Sequence, residues 1–301
     1  MKTRTNRIFA LLLAALLLAA SLAGCSAPAE TEETQEETQP AEASSQIADS
    51  SEMTTVEDIV DELYVPVSAE HLKNGTYDIE VDSSSSMFNI VKCVLTVEDD
   101  SMTAVMTMGG TGYRYIYMGT PEEAVAASED AYILPVADEN GAHTFTVPVE
   151  ALDAGVKCAA FSDSKEKWYD RTLVFRTKTL ALSDFDPGFL TTAESLGLAD
   201  GTYTCNVTLS GGSGKAYVES PATLTVRSGR VTAEIVWSSD KYDFMVVDGV
   251  QYDPVNGDGN STFLIPVESF DFSLPVQADT IAMSTPHLID YTLYFYSSTI
   301  E

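Results

Sequence analysis

The stretch Leu72–Tyr77 (LKNGTY) recurs as Leu198–Tyr203 (LADGTY), and this recurrence decides the fold. Further matches follow in the same order: Leu95–Val97 with Leu224–Val226, Val147–Glu150 with Ile265–Glu268, and Asp170–Phe175 with Asp290–Phe295. The offset between the copies drifts from 118 to 129 residues, so the length differences fall in loops. This behaviour indicates two homologous domains rather than a tightly stacked solenoid.

Each copy has the pattern of an all-β domain. Short runs rich in valine, threonine, isoleucine and aromatic residues alternate with turn pairs such as Asn74-Gly75 and Asp200-Gly201. Seven or eight short strands in about 100 residues are typical of a two-sheet immunoglobulin-like sandwich. We therefore predict two tandem β-sandwiches, at residues 68–177 (repeat 1) and 197–301 (repeat 2).

Two short helices are predicted outside the sandwiches. Thr55–Asp58 can form a capping box at the start of a helix within residues 55–67. Thr191–Glu194 can do the same in a linker that spans residues 178–196.

The N-terminus has the pattern of a bacterial lipoprotein signal peptide. Basic residues precede the apolar run Ile8–Ala20, which is too short to span a bilayer and has the length of a signal core. Leu22–Cys25 (LAGC) resembles a lipobox, in which the cysteine is acylated and becomes the new N-terminus. We therefore predict a signal peptide at residues 1–24 and a lipid anchor at Cys25. The mature protein would lie on the extracellular face of the cell membrane, as in a Gram-positive bacterium.

Residues 25–54 have the composition of a disordered acidic linker. They are rich in Glu, Thr, Ala, Ser, Gln and Pro and have almost no large apolar side chains. Such a segment cannot bury enough surface to offset the entropy of ordering it.

The charge of the chain excludes several classes of function. Its 301 residues include 46 acidic and 16 basic ones, which gives a formal net charge of -30. A nucleic-acid partner is excluded because phosphate contacts need a basic surface. With only three histidines and no complete catalytic or metal-binding motif, the sequence predicts neither an enzyme nor a free-metal site.

Three cysteines remain after Cys25. Cys93, Cys158 and Cys205 align with Ala222, Ala278 and Ile79 of the other repeat, so buried thiols are favoured. An exported location also permits a Cys93–Cys158 disulfide, and the sequence leaves this alternative open.

Both repeats open alike, with Gly75–Tyr77 and Gly201–Tyr203, and each has a loop before its next strand, Ser84–Asn89 in repeat 1 and Gly214–Ala222 in repeat 2. Repeat 1 also has the closing strand Tyr169–Leu173. In these features the two repeats resemble divergent copies of the NEAT domain, the haem-binding module of Gram-positive surface proteins. In the family, the closing strand carries Tyr-x-x-x-Tyr and its first tyrosine binds the haem iron. This chain keeps the first tyrosine and has Leu173 in place of the second.

The resemblance implies a set of haem contacts in repeat 1. Tyr169 would bind the iron, and the other contacts would come from Ser86, Met87, Phe88, Lys167 and Arg171. The alternative for Tyr169 is a partly buried strand aromatic without a ligand. The loop would form a lip over the porphyrin, with Met87 or Phe88 against its face.

Repeat 2 has Ile289 and Leu293 at the two tyrosine positions, so it lacks the iron ligand. Its candidate contacts are Tyr217, Met245, Met283 and His287. The alternative is that Met245 belongs to the core and that His287 lies in a loop.

Two functions follow from these observations. In the first, a lipid-anchored surface receptor captures haem or a related apolar iron ligand and passes it to an ABC transporter or another surface protein. In the second, the two sandwiches form an adhesion or envelope module that binds proteins without a cofactor.

Overall fold

The computed structural model describes residues 46–53, 59–282, 285 and 287–301. The predicted signal peptide, Cys25 and most of the predicted acidic linker lie outside these residues. In the part of the chain that is described, no helix is long and apolar enough to cross a membrane.

Repeat 1 is built from nine strands in two antiparallel sheets. The strands are β1 (Gly75–Ile79), β2 (Val81–Ser83), β3 (Ile90–Glu98), β4 (Ser101–Met108), β5 (Tyr113–Met118), β6 (Val136–Ala137), β7 (His143–Val149), β8 (Gly155–Ser162) and β9 (Lys167–Phe175). One sheet has the order β1-β3-β4-β7-β6 and the other β2-β9-β8-β5.

Repeat 2 is built from a second set of nine strands. These are β10 (Gly201–Cys205), β11 (Val207–Gly211), β12 (Ala222–Arg227), β13 (Arg230–Val236), β14 (Tyr242–Val247), β15 (Val250–Tyr252), β16 (Thr262–Val267), β17 (Ser273–Thr280) and β18 (His287–Phe295). The two sheets have the orders β10-β12-β13-β16 and β11-β18-β17-β14-β15.

The two repeats share strand order apart from one added edge strand in each, β6 and β15. Equivalent details recur in the opening strands. Tyr77 pairs with Leu95 and donates its hydroxyl hydrogen to the carbonyl of Lys73, while Tyr203 pairs with Leu224 and donates to Ala199. The prediction of an all-β fold of sandwich domains is therefore confirmed.

Each repeat buries its own apolar core between its two sheets. Alternate residues of β4 are buried, and so are alternate residues of β12, as the two-residue period of a strand requires. The core of repeat 1 contains Cys93 and Cys158, and that of repeat 2 contains Cys205. All three are free thiols, and burial raises the pKa of Cys93 and of Cys158 to about 12.

A third, smaller apolar cluster lies on the outer face of the second sheet of repeat 1. Trp168, Phe161 and Ala159 pack there against Ala124 of the short helix α1 (Pro121–Ala126). Thr120 caps this helix by accepting a hydrogen bond from the backbone of Glu123. Sequence analysis did not predict α1, although Thr120–Glu123 (TPEE) combines a capping box with proline at the first helical position.

The two predicted linker helices take other forms. Residues 55–58 lie outside the described part, and residues 59–67 form a turn and then an isolated bridge from Val67 to Leu152. The segment 178–196 contains a 3-10 turn at Leu182–Asp184 and a hydrogen-bonded turn at residues 192–197. Both segments are held by contacts with the sandwiches, which outweigh weak helix propensity.

Residues 46–53 are also ordered, although composition assigned them to the disordered linker. Ile47 forms a parallel bridge with Trp168 on the edge of β9, and Ala48 is buried. The Trp168 amide donates to the carbonyl of Gln46, and the Ala48 amide donates to the carbonyl of Trp168. The edge of β9 offers backbone hydrogen-bond partners to this segment, and such partners cannot be inferred from amino-acid composition.

Candidate functional site

Strand β9 brings the predicted tyrosine and arginine together. Tyr169, Arg171, Leu173 and Phe175 alternate along the strand, and Leu173 and Phe175 belong to the core of repeat 1. Tyr169 is only 9% exposed and Arg171 only 3%. The Arg171 guanidinium carbon lies over the Tyr169 ring, 5.1 Å from its centroid.

The buried Arg171 side chain has little compensation for its charge. Its Nη1 donates to the carbonyl of Asp170 at 2.7 Å, but its Nε has no hydrogen-bond partner. Among the described residues, no carboxylate forms an ion pair with it. A buried charge is costly unless it is paired, so an anionic group at this place would be bound favourably.

The loop of residues 84–89, which we call the lip, is fixed to β9 and to β5. The Ser84 amide donates to the Thr172 carbonyl, and the Thr172 amide donates to Ser84 Oγ, both at 2.9 Å. The Tyr113 hydroxyl donates to the Met87 carbonyl at 3.2 Å. The lip therefore lies beside the strand that carries Tyr169 and Arg171.

The three predicted contacts of the lip have different surroundings. Ser86 is exposed, and Met87 is 64% exposed, so both are accessible to a ligand. Phe88 is fully buried in the core of repeat 1, where it packs against Tyr113 with ring centroids 5.0 Å apart. Phe88 would have to leave the core of repeat 1 before it could meet a porphyrin.

A cavity of about 350 Å³ opens beside the lip. Ser83, Ser85, Ser86, Phe88 and Ile90 are among its lining residues, whereas Tyr169, Arg171 and Lys167 are not. A ligand as large as haem would reach Tyr169 only if the lip or its neighbours moved.

The N-terminal segment at residues 46–53 contacts the start of β9, where Lys167 lies. Lys167 Nζ lies 2.7 Å from Glu52 Oε2, and this hydrogen bond raises the pKa of Lys167 and lowers that of Glu52. Lys167 would have to exchange this partner before meeting a ligand carboxylate.

Repeat 2 fills the equivalent region with neutral side chains. Tyr291 stands at the position of Arg171, and its hydroxyl oxygen lies 3.4 Å from that of Tyr242. The Trp237 ring packs on Tyr242 at 4.1 Å, and Trp237 Nε1 donates to Met245 Sδ at 3.3 Å. Burial, reinforced by the contact with Tyr242, raises the pKa of Tyr291.

This packing separates the candidates of repeat 2. Met245 is fully buried in the core of repeat 2, so it would meet a ligand only if that core opened. Tyr217 and His287 are exposed, and Met283 lies outside the described residues. Across the described ranges, no group of three or more His, Cys, Asp or Glu side chains is arranged to hold a metal ion.

Sequence analysis missed a second buried arginine, at the junction of the repeats. Arg176 Nε lies 2.6 Å from Asp82 Oδ2, and its Nη1 lies 3.7 Å from Asp153 Oδ1. Its Nη2 donates to the Ile59 carbonyl, and its guanidinium covers the Tyr64 ring at 4.7 Å. No motif signals this cluster, because its members are distant in sequence and are brought together only by the folding of repeat 1 and of the segment before it.

No protein-family model matches the sequence, and no curated protein matches it. Two solved structures are similar to about a third of the chain. One is the NEAT5 domain of IsdX2, a B. anthracis hemophore in complex with heme, with 18% identity and a TM-score of 0.27 over 32% of this chain and 96% of that one. The other is a point mutant of IsdX2-NEAT5 in complex with heme, with 18% identity and a TM-score of 0.28 over 33% of this chain and 96% of that one. Similarity at this level does not establish what this chain binds.

Proposed function

We propose that this protein is a lipid-anchored surface receptor that captures haem with repeat 1 and passes it to a transporter or another surface protein. The observation that carries the proposal is the contact between Tyr169 and Arg171. A phenol capable of binding iron lies against a buried guanidinium that forms no ion pair with any carboxylate of the described residues. Sequence resemblance to NEAT domains supports the same assignment.

Each residue has a role that follows from its chemistry. A tyrosine oxygen is a hard ligand that suits ferric iron, and a neighbouring cation attracts an anionic ligand group. Arg171 supplies that cation beside Tyr169, while Ser86 and Met87 are exposed on the lip and Lys167 is partly exposed at the start of β9. The net charge of -30 repels haem carboxylates at long range, but screening over ~8 Å at physiological salt leaves the local groups in control.

Hemin titration of the full chain tests the capture of haem. We expect saturable binding with a shifted Soret band, and Tyr169→Phe should remove the ferric-phenolate absorption while leaving the fold intact. Tyr252→Phe in repeat 2 is the matched control and should titrate like the wild type. If the wild type shows no saturable Soret shift, the proposal is wrong.

The membrane location is tested separately. Cys25→Ser removes the acylated side chain, so the protein should leave the membrane fraction after an alkaline wash. Retention of the variant in washed membranes would contradict lipid anchoring through Cys25.

The second candidate function is a protein-binding envelope module without a cofactor. The near-complete burial of Tyr169 and its absence from the cavity at the lip favour it. The hemin titration separates the two functions, since a protein-binding module needs no interaction with porphyrin.

A further inference from the structure

A cleft of about 460 Å³ lies between the linker that follows β9 and repeat 2, away from the lip of repeat 1. One wall comes from residues 177–182 and Phe185, which follow β9, and the other from the start of β17. Its volume falls in the range of about 300–1,000 Å³ that is typical of small-molecule sites, which often lie between domains.

Apolar side chains form the inner surface of this cleft. Leu182, Phe185, Phe272, Leu274 and Pro275 are among its lining residues. Phe185 comes from the linker and Phe272 from repeat 2, and the two rings pack edge to face with centroids 5.5 Å apart. The cleft can therefore take the apolar body of a ligand against surfaces from the linker and from repeat 2.

Ser273 supplies a polar group within this apolar lining. It is 5% exposed, and its Oγ is buried without a hydrogen-bond partner. Buried polar groups are almost always paired, and leaving one unpaired is costly. A ligand atom that pairs with this hydroxyl would recover that cost.

The charges that line the cleft favour a cation. The one lysine, Lys178, is already paired with Glu80, with Nζ and Oε2 2.6 Å apart. Asp248 and Glu268 also line the cleft, and neither forms an ion pair within the described ranges. The charged groups that remain to interact with a ligand in the cleft are therefore these two carboxylates, which are negative.

We propose that this cleft binds a small amphipathic amine. Its apolar body packs between Phe185 and Leu274, a polar atom pairs with Ser273 Oγ, and its ammonium group lies near Asp248 and Glu268. The site is independent of haem capture by repeat 1, since it shares no lining residue with the lip.

Isothermal titration of the full chain with three probes of one shape tests the proposal. The probes are 4-phenylbutylamine, 4-phenylbutanol and 4-phenylbutanoate. We expect the amine to bind most tightly and the carboxylate not to bind. The double variant Asp248→Asn, Glu268→Gln should abolish the preference for the amine over the alcohol.

Two further variants locate the binding. Ser273→Ala should weaken binding of the amine by about fivefold, which corresponds to one neutral hydrogen bond, whereas the exposed Ser213→Ala should have no effect. Ala181→Trp should fill the cleft and abolish binding, and the neighbouring Ser183→Trp, outside the lining, should not. Equal affinity for the three probes, no binding of the amine, or unchanged binding in Ser273→Ala and Ala181→Trp would overturn the proposal.

Discussion

At the scale of single residues, the two buried arginines make opposite contributions to stability. Arg176 forms ion pairs with Asp82 and Asp153 and donates to a backbone carbonyl, whereas Arg171 forms no ion pair among the described residues. Each guanidinium also has one buried nitrogen without a described hydrogen-bond partner, Nη1 in Arg176 and Nε in Arg171. Binding sites commonly retain such unfavourable groups because a ligand compensates for them.

We therefore expect Arg171→Met to raise the free energy of unfolding by about 1 kcal/mol or more, since an unpaired buried charge is removed. Arg176→Met should lower it by about 3–5 kcal/mol, because Asp153 would remain buried without its cation. Urea denaturation of both variants measures the two changes. A destabilised Arg171→Met protein would show that Arg171 is adequately compensated in the unliganded fold.

Asp153 should give the stability a defined pH dependence. Burial raises its pKa from 3.8 to about 6, against the opposing hydrogen bonds from Thr177 and the charge of Arg176. Because the folded state holds the proton more tightly, the contribution of Asp153 is greatest below pH 4 and is lost as the pH rises to 6. The total loss is about 3 kcal/mol.

The free energy of unfolding of Asp153→Asn, measured from pH 4 to 7, tests this dependence. The wild-type value minus the variant value should fall between pH 4 and 6 and then level off. Asp271→Asn changes the equivalent carboxylate of repeat 2. It measures how much stability is lost with the hydrogen bonds of the turn alone. A difference that does not change with pH would contradict the raised pKa of Asp153.

At the scale of elements, the strands could be predicted from sequence and the loops could not. Alternating burial and turn pairs are local signals, so the repeated openings Gly75–Tyr77 and Gly201–Tyr203 locate equivalent strands. The position of Phe88 in the core and that of Ile47 beside Trp168 depend on partners distant in sequence. The burial of Arg171 likewise follows from tertiary packing, because arginine is rarely buried on average.

The loop that covers Tyr291 in repeat 2 depends on glycine at one position. Gly212 has φ +57°, and a Cβ there would lie 2.7 Å from Tyr291 Cε1, whereas a Cβ on Gly214, with φ +70°, would meet nothing within 4 Å. Both substitutions by alanine incur about 1 kcal/mol of left-handed backbone strain, and only Gly212→Ala adds a clash, which costs about 1–3 kcal/mol more. Urea denaturation should therefore give a clearly lower free energy of unfolding for Gly212→Ala than for Gly214→Ala. Equal values would show that the Tyr291 ring moves aside freely.

At the scale of the whole molecule, the repeats have separate cores but a connected boundary. The Tyr64 hydroxyl accepts a hydrogen bond from Thr292 Oγ1 at 3.3 Å, and Ser210 Oγ donates to Asp61. These contacts join the segment before repeat 1 to repeat 2. Because Arg176 of repeat 1 covers the Tyr64 ring, these contacts link both repeats through this segment and favour their cooperative unfolding.

Phe272 provides the main apolar link across this boundary. It belongs to repeat 2 in sequence but packs with the core of repeat 1, edge to face against Phe185 and Phe189 at 5.5 and 6.0 Å. Truncation of Phe272 to alanine removes about 3–5 kcal/mol of packing energy. This loss weakens the contact across the boundary rather than the packing within one core. We expect wild-type calorimetry to show a single transition and Phe272→Ala to show two.

Phe270→Ala is the control for this experiment, because Phe270 is buried in the core of repeat 2 alone. Its loss should lower the stability of repeat 2 by a similar amount and leave the contacts of Phe272 with Phe185 and Phe189 in place. Comparison of the calorimetric and van't Hoff enthalpies distinguishes the two effects, because their ratio exceeds one only where the repeats unfold separately. A ratio of one for Phe272→Ala would mean that the polar contacts of Arg176 and Tyr64 are sufficient to couple the repeats.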